Sequence, residues 1–539
     1  MSSRVRRTAF ALVVFFAACG LGGLFISQKV GAQSATDESA FRDSLKEFTS
    51  VYQIVAQNYA EPLNGDKPDS VIYDGAIPEM LRTLDPHSNF YDPKAYAKMQ
   101  EDESGKYYGV GMVIQAQNNK VVVVYPFEGS PSYKAGLRPA DVILKVDGKS
   151  THGMDTTAVA DLLKGPKGTH VKLTVSREGA TDPLTFDLVR QEIPHPSIDL
   201  KYEIKPGVLY IHITQFQQTT GREFADTLNE FPNIKGLVLD LRGNPGGVLV
   251  DAVAVCDKLL NRGQIIVSQR GRAYPEQVYR ATHGNHGHFF PIVVLVNHNT
   301  ASAAEIVSGA LQDHDRALIV GQVTFGKGLV QTVYPISDNT GLALTTYHYY
   351  TPSGRLIQRN YNGVSLYDYY YNHDQPKDLK DREVRLTDSG RTVYGGGGIT
   401  PDETVDPPKA NHFEEVLDAH NVFFNFAPFY LAHRTVGKDF EVNKEALDQF
   451  KQFLTQQNIA FTDQDIDGAM DWLKMNIRSS VITSQFNETA GLRVRANWDP
   501  MIAKALTFLP QAETLEQTAQ KIDKEKQTTA SNTAPAAAQ

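Results

Sequence analysis

Val294-Leu295-Val296-Asn297-His298-Asn299-Thr300-Ala301-Ser302-Ala303-Ala304-Glu305 runs from apolar residues through a short polar turn into a stretch of small residues. An apolar run bounded by turn residues predicts a buried strand, and the Ala-rich segment after it predicts a helix. Ser302 then stands where strand becomes helix, beside unpaired backbone N–H groups and the positive end of the helix dipole. Such a setting stabilises negative charge on an attacked carbonyl. The same residues also admit a plainer reading. Ser302-Ala303-Ala304-Glu305 fits a helix-capping box, and serines in that pattern are far more often caps than nucleophiles.

Around this segment, Gly207 to Ile211, Gly236 to Leu239, Ile292 to Val296 and Ala317 to Val320 predict further strands. Residues 220–230, 248–260 and 303–312 predict helices between them, and the alternation implies an α/β sheet. Upstream, residues 106–190 have the short strands Val121 to Val124 and Val171 to Val175 around a helix at Thr156 to Leu163. Residues 37–105 predict an N-terminal helical region, since Phe41, Leu45, Phe48, Val51, Ile54 and Val55 recur at three-to-four spacing. Residues 363–394, polar and rich in Tyr and Asp, predict a surface insertion. Residues 409–510 predict a C-terminal helical region, and residues 511–539, rich in Ala, Gln, Thr and Lys, a disordered tail. The fold class is therefore multidomain α/β, with about three or four domains in 539 residues.

A hydrophobic fraction of 41% and a charged fraction of 21% are ordinary for a globular chain. A net charge of −9 with no basic stripe excludes a general nucleic-acid binder. Residues 1–33 have the composition of an export signal: Arg4, Arg6 and Arg7, an uncharged apolar run from Ala9 to Ile26, then Val30-Gly31-Ala32. The run is also about long enough for an uncleaved membrane anchor, and Cys19 raises a lipid-attachment alternative. An exported chain, periplasmic or bound to the outer face of the cytoplasmic membrane, is the expectation. Removal of the signal leaves Cys256 alone, with no intrachain disulfide, and its apolar helical context predicts a buried small hydrophobe.

A serine nucleophile needs a base, and no Gly-x-Ser-x-Gly elbow surrounds Ser302. Downstream lies Thr324-Phe325-Gly326-Lys327-Gly328-Leu329-Val330-Gln331. In an extended strand Lys327, Leu329 and Gln331 share one face. A lysine among Phe325, Leu329 and Val330 loses its proton more easily by desolvation, and Gln331 is placed to orient its amine. The alternative is a surface lysine in a glycine-flanked turn. A third segment, Asp240-Leu241-Arg242-Gly243-Asn244-Pro245-Gly246-Gly247, ends a strand in a turn able to present N–H groups as an oxyanion hole, or simply to connect strand and helix. Asp240 and Arg242 read as a structural polar pair. Two rival chemistries remain open: a metal site at His283, His286 and His288, and a Ser-His-Asp arrangement through His314.

In this order, and with Leu84-Asp85-Pro86-His87-Ser88 upstream and Tyr350 to Gln358 and Gly398 to Asp402 downstream, these motifs resemble the carboxyl-terminal processing (tail-specific) protease family over roughly residues 40–408. The resemblance implies a ClpP/crotonase-like protease core at 191–408, a serine-type endopeptidase with a Ser-Lys dyad, and no cofactor or metal. By this likeness Ser302 is the nucleophile, Lys327 its base and Gln331 the orienter of the lysine, with oxyanion donors at the N–H groups of Gly246 and Ala303. Residues 106–190 look like the family's PDZ domain. Tyr107 to Ile114 resembles its carboxylate loop and binding strand, so Gly109, Val110, Gly111, Met112 and Val113 are the peptide-binding candidates. Ser130 to Ile143 resembles its second motif, departing at Ser132 and Ala140. The implied partners are proteins or peptides with free C-termini. A homodimer through residues 37–105 and 411–510, an envelope adaptor and N-terminal membrane attachment are further candidates. A catalytically silent PDZ scaffold of the cell envelope is the alternative function, and in the family the PDZ domain commonly gates the protease.

Overall fold

Runs of apolar residues build a six-stranded sheet in the order Ile198–Lys205, Val208–Ile213, Gly236–Asp240, Ile292–Val296, Leu318–Gly321, Glu403–Thr404. The first pair is antiparallel and the others are parallel. Successive side chains enter opposite layers. Leu237, Leu239, Val294 and Ile319 pack with Val255, Cys256 and Val307 of the helices Leu249–Leu259 and Ala303–Asp313. Val238, Val293, Leu295 and Val320 pack on the other face with Ala496, Ile502, Ala505 and Ala512. Burial on both faces explains why these strands read as unbroken apolar runs. The computed structural model describes residues 35–60, 71–117, 119–372 and 382–533. The expected signal at 1–33 lies outside them, as do 373–381 of the insertion and 534–539 of the tail.

The chain divides into one compact unit up to Glu79 and another from Met80 onward. In the first, the predicted apolar repeat forms the helix Ala35–Asn58, with Phe41, Leu45, Phe48, Val51 and Ile54 exposed. In the second, the expectation of helix up to residue 105 fails at Asn89–Tyr91. These three residues form an edge strand pairing Asn89 with Ala343 and Tyr91 with Gly341. A three-residue strand is too short to impose a period on the sequence. The helix Pro93–Ser104 follows, started by the Asp92 carboxylate accepting the Ala95 N–H and ended by Gly105 at φ +70°.

Residues 106–190 form a sheet in the order Met112–Gln117, Lys120–Pro126, Val142–Val146, His170–Ser176, Leu184–Val189. The helix Thr156–Leu163 supplies Val159 and Leu163 to its core beside Val121, Val123 and Leu173. Lys106–Gly109 pairs with Gln191–Pro194, which closes the base of this domain. A second core sheet joins Asn89–Tyr91, Gly341–Tyr350, Ile265–Arg270 and Gln277–Arg280, with Leu329–Pro335 also paired to Gly341–Tyr350. Helices between His412 and Gln485 bury Phe423, Phe426, Phe450 and Phe453 against one another.

The expectation of disorder from residue 511 is overturned through Thr533. Leu509–Thr533 is one helix, with Ala512 buried and Leu515 packed on the second face of the main sheet. Glu516, also buried, pairs with Arg316 at 3.4 Å. A polar helix of this kind owes its order to one contact stripe rather than to composition. Among the described residues no helix is long and apolar enough to cross a membrane.

Candidate active site

Ser302 lies between the strand Ile292–Val296 and the helix Ala303–Asp313, with φ +53° and ψ −116°. A non-glycine residue at positive φ is strained and must be held by its surroundings. Here the holding group is Glu305. Its carboxylate accepts the Ser302 N–H at 2.8 Å, the Gly326 N–H at 2.8 Å, the Lys327 N–H at 2.9 Å and the Thr324 hydroxyl. Burial raises the Glu305 carboxyl to about 7 against these four donors. The Glu305 N–H goes to the Ser302 carbonyl. Glu305 thus supplies its half of the anticipated cap and also crosses to the Lys327 loop.

A second fastener comes from Tyr349. Its hydroxyl lies 3.1 Å from the Ser302 carbonyl and in hydrogen-bonding contact with that of Lys327. Two buried side chains therefore tie the backbones of Ser302 and Lys327 into one site. Desolvation pulls the Lys327 amine below the ordinary lysine value, and the carboxylates of Asp85 and Glu305 oppose that pull.

The expected alternation of Lys327, Leu329 and Gln331 does not occur. Strand pairing begins at Leu329, after Lys327, and a bulge falls between Val330 and Gln331. Leu329 is buried in the core, whereas Gln331 turns toward the facing strand and donates to the Thr345 hydroxyl at 3.0 Å. Thr345 in turn donates to Asp85 Oδ1 at 3.1 Å. Asp85 Oδ1 also accepts the N–H groups of His87 and Ser88, both at 2.8 Å, and Oδ2 accepts the Ser88 hydroxyl at 2.7 Å.

Gly246 stands against the serine. A Cβ there would lie 2.7 Å from Ser302 Cβ and 2.8 Å from the Ala303 nitrogen. Its own N–H donates to Asn244 Oδ1 at 2.8 Å, so this expected oxyanion donor already has an acceptor. The Ala303 N–H opens the helix, where no intrahelical acceptor exists. Buried Asp240 forms an ion pair with half-buried Arg242, which extends it to Asp499.

Within residues 363–394, one short helix is anchored to the core through a single tyrosine. The helix Leu366–Tyr371 buries Tyr369, whose hydroxyl meets His87 Nε2 at 2.9 Å and whose ring stands edge-on to Phe325 at 5.5 Å. The Arg359 guanidinium lies over both rings, at 4.3 Å and 4.5 Å. These aromatics wall the loop that carries Lys327. A Tyr- and Asp-rich composition has the look of a solvated loop, and it conceals this packing.

In the peptide-binding candidates, Gly111 has φ +77° and its missing Cβ would meet Ser130 Cβ at 2.4 Å. Val110 is buried, and its carbonyl accepts the N–H and the hydroxyl of Ser132. Met112 and Val113 begin the strand at the sheet edge, the position from which a peptide can add as a further strand. The Met112 N–H points to the Tyr107 phenol oxygen. Farther along, Gln115 and Gln117 donate to Asn421 and Asn425 of the C-terminal helices.

The rival chemistries find other partners. His314 engages Asp388 and the Ile265 carbonyl, each at 2.7 Å, which commits both ring nitrogens away from Ser302. His283 pairs with Asp257, and among the described residues no group of three His, Cys, Asp or Glu is gathered for a metal. Cys256 is buried, and burial pushes its thiol well above the usual range.

The model of peptidase family S41 matches residues 207–365, and the PDZ domain model matches residues 122–177. A carboxy-terminal-processing protease of Bartonella bacilliformis is 37% identical over 389 residues, spanning 70% of this chain and 86% of that protein. The carboxy-terminal processing protease CtpA of Bacillus subtilis is 33% identical over 62% of this chain and 70% of its own length. Among solved structures, the photosystem II D1 C-terminal processing protease is 29% identical, covering 67% of this chain and 92% of that one with a TM-score of 0.34. The chain accordingly belongs to peptidase family S41 as a PDZ-containing, carboxy-terminal-processing serine protease.

Proposed function

We propose that this protein is an exported endopeptidase that takes protein C-termini into its PDZ domain and cuts the chain with a Ser302–Lys327 dyad. The observation that carries the reading is the pair of fasteners, Glu305 and Tyr349, each bonded to the backbone of both residues. Residues far apart in sequence are joined this way where their mutual geometry matters.

The Ser302 hydroxyl attacks the scissile carbonyl while its proton passes to the neutral Lys327 amine. The oxyanion is met by the Ala303 N–H and by that of Gly246, once the latter exchanges Asn244 for the substrate oxygen. Lys327 then returns the proton to the departing amine, leaving an acyl-enzyme, and water repeats the sequence to free Ser302. Gln331 aligns the base from the bulged strand. Gly109 to Val113 offer loop N–H groups for the terminal carboxylate and a strand edge for the peptide. A cleaved or anchored export signal at 1–33 puts this activity in the periplasm or on the outer face of the cytoplasmic membrane. Dimerisation through helical ends and an envelope adaptor are consistent with the family likeness.

The test uses the full chain and a small folded domain extended by an unstructured apolar C-terminal tail, followed by mass spectrometry. Cleavage by the unaltered protein and its loss in both Ser302→Ala and Lys327→Ala is the expected result. Undiminished turnover in either variant refutes the dyad. Tight tail binding without hydrolysis by the unaltered protein points instead to a silent scaffold.

A further inference from the structure

We propose that Asp85 is a positioning residue of the reaction: its carboxylate aligns Gln331 through Thr345, and its charge acts on the Lys327 amine. The inference rests on the Ser302–Lys327 reading and adds to it the group that governs when the base is free.

The geometry runs in one direction. Gln331 donates to Thr345, and Thr345 donates to Asp85. Ser88 braces the same joint, because its hydroxyl donates to Asp85 Oδ2 and accepts the Thr345 N–H at 3.1 Å. A donor chain ending on a carboxylate is stronger than one ending on a neutral oxygen, so the Gln331 amide is held in one orientation. Asp85 is 7% exposed, and among the described residues it has no ion-pair partner within 4 Å. The cation that its charge acts on is Lys327.

The other groups facing Lys327 do not duplicate Asp85. Glu305 is spent on four donors. His87 is pushed down to about 3 by burial and by Lys327, with Asp85 opposing and Arg359 adding to the fall, so it is neutral in the working range. The Tyr349 hydroxyl is occupied with backbone carbonyls. Arg359, stacked on Phe325 and Tyr369, adds positive charge on the His87 side. Asp85 therefore favours the protonated lysine, and it raises the pH at which the free amine becomes available.

Asp85→Asn isolates the charge. Oδ1 keeps its three donors, and the new amide can donate to the Ser88 hydroxyl in place of accepting from it. With the tailed domain as substrate, the acid limb of the kcat/KM profile should move to lower pH than in the unaltered protein, and Asp85→Glu should return it. Thr345→Val breaks the link to Gln331 without touching charge. It should lower kcat on the order of tenfold, the worth of one charge-assisted hydrogen bond, and leave the limb and KM in place. An unmoved limb in Asp85→Asn overturns the counter-charge, and undiminished kcat in Thr345→Val overturns the alignment. Should Asp85→Asn not fold, the Thr345→Val result alone decides whether Asp85 acts through Gln331. Cleavage that survives Lys327→Ala would sink the dyad itself, a result distinguishable from Lys327-dependent cleavage with an unmoved limb.

Discussion

Glu305→Gln exchanges one oxygen for an NH2 in a fully buried site that contains four donors. With the amide nitrogen at the Oε2 position, it faces the N–H groups of Ser302 and Lys327, and both lose their acceptor. With the nitrogen at Oε1, it faces the Gly326 N–H and the Thr324 hydroxyl. The hydroxyl can rotate to accept, so this orientation leaves one backbone donor unsatisfied rather than two. A buried, unsatisfied N–H costs about 1–3 kcal/mol, and with one such donor the destabilisation is of that size. An effect on rate accompanies the loss of stability. Relief of the clash moves the Gly326 backbone and with it the adjoining Lys327, and a displacement of about 1 Å in the proposed dyad costs on the order of 100-fold in rate. The assays are the urea unfolding midpoint and the turnover of a tailed protein under conditions where both proteins are folded. An unchanged midpoint together with unchanged turnover would refute the clasp and the ordering of the site built on it.

Gly246→Ala should abolish turnover, by at least about 100-fold, because a Cβ there meets Ser302 Cβ at 2.7 Å and the Ala301 carbonyl at 2.8 Å. Tail binding, measured by fluorescence anisotropy of a labelled peptide, should persist. Stability should also fall with pH through His212, which is raised to about 8: burial lowers it, but the Asp199 hydrogen bond at 2.7 Å and the Asp240 charge outweigh burial. The folded value exceeds the ordinary 6.5, so this contribution is fully present below about 6.5 and is lost as pH rises through about 8, amounting to about 2 kcal/mol. Urea unfolding across that window checks it. His212→Asn should flatten the slope, and a flat profile in the unaltered protein would contradict it.

Much of the architecture was legible in the chain because the main sheet is covered on both faces. Ile292 to Val296 and Leu318 to Val320 have no solvent side, so they appear as apolar runs that no other element mimics. The glycine-marked domain was legible for a different reason: Gly111 at φ +77° sits where a side chain would strike Ser130, and only glycine fits there. Less visible were elements stabilised by a single contact. Leu509–Thr533 looks like a disordered tail because only a narrow stripe, with Ala512 and Leu515, touches the sheet. Tyr369 looks like loop composition until it is seen against Phe325 and His87.

Ser302 illustrates the division. By itself the sequence determined that a strand becomes a helix at this serine, and the order of motifs around it determined the family resemblance. Both follow from local rules of period and turn, which act over a few residues. What the tertiary structure decided is that Glu305 is more than a cap, that a bulge turns Gln331 toward Thr345, and that Thr345 passes this link on to Asp85. Thr345 and Ser88 are 257 positions apart, yet share a hydrogen bond. No local pattern encodes such a contact, because it exists only after residues 80–105 have packed against the second sheet.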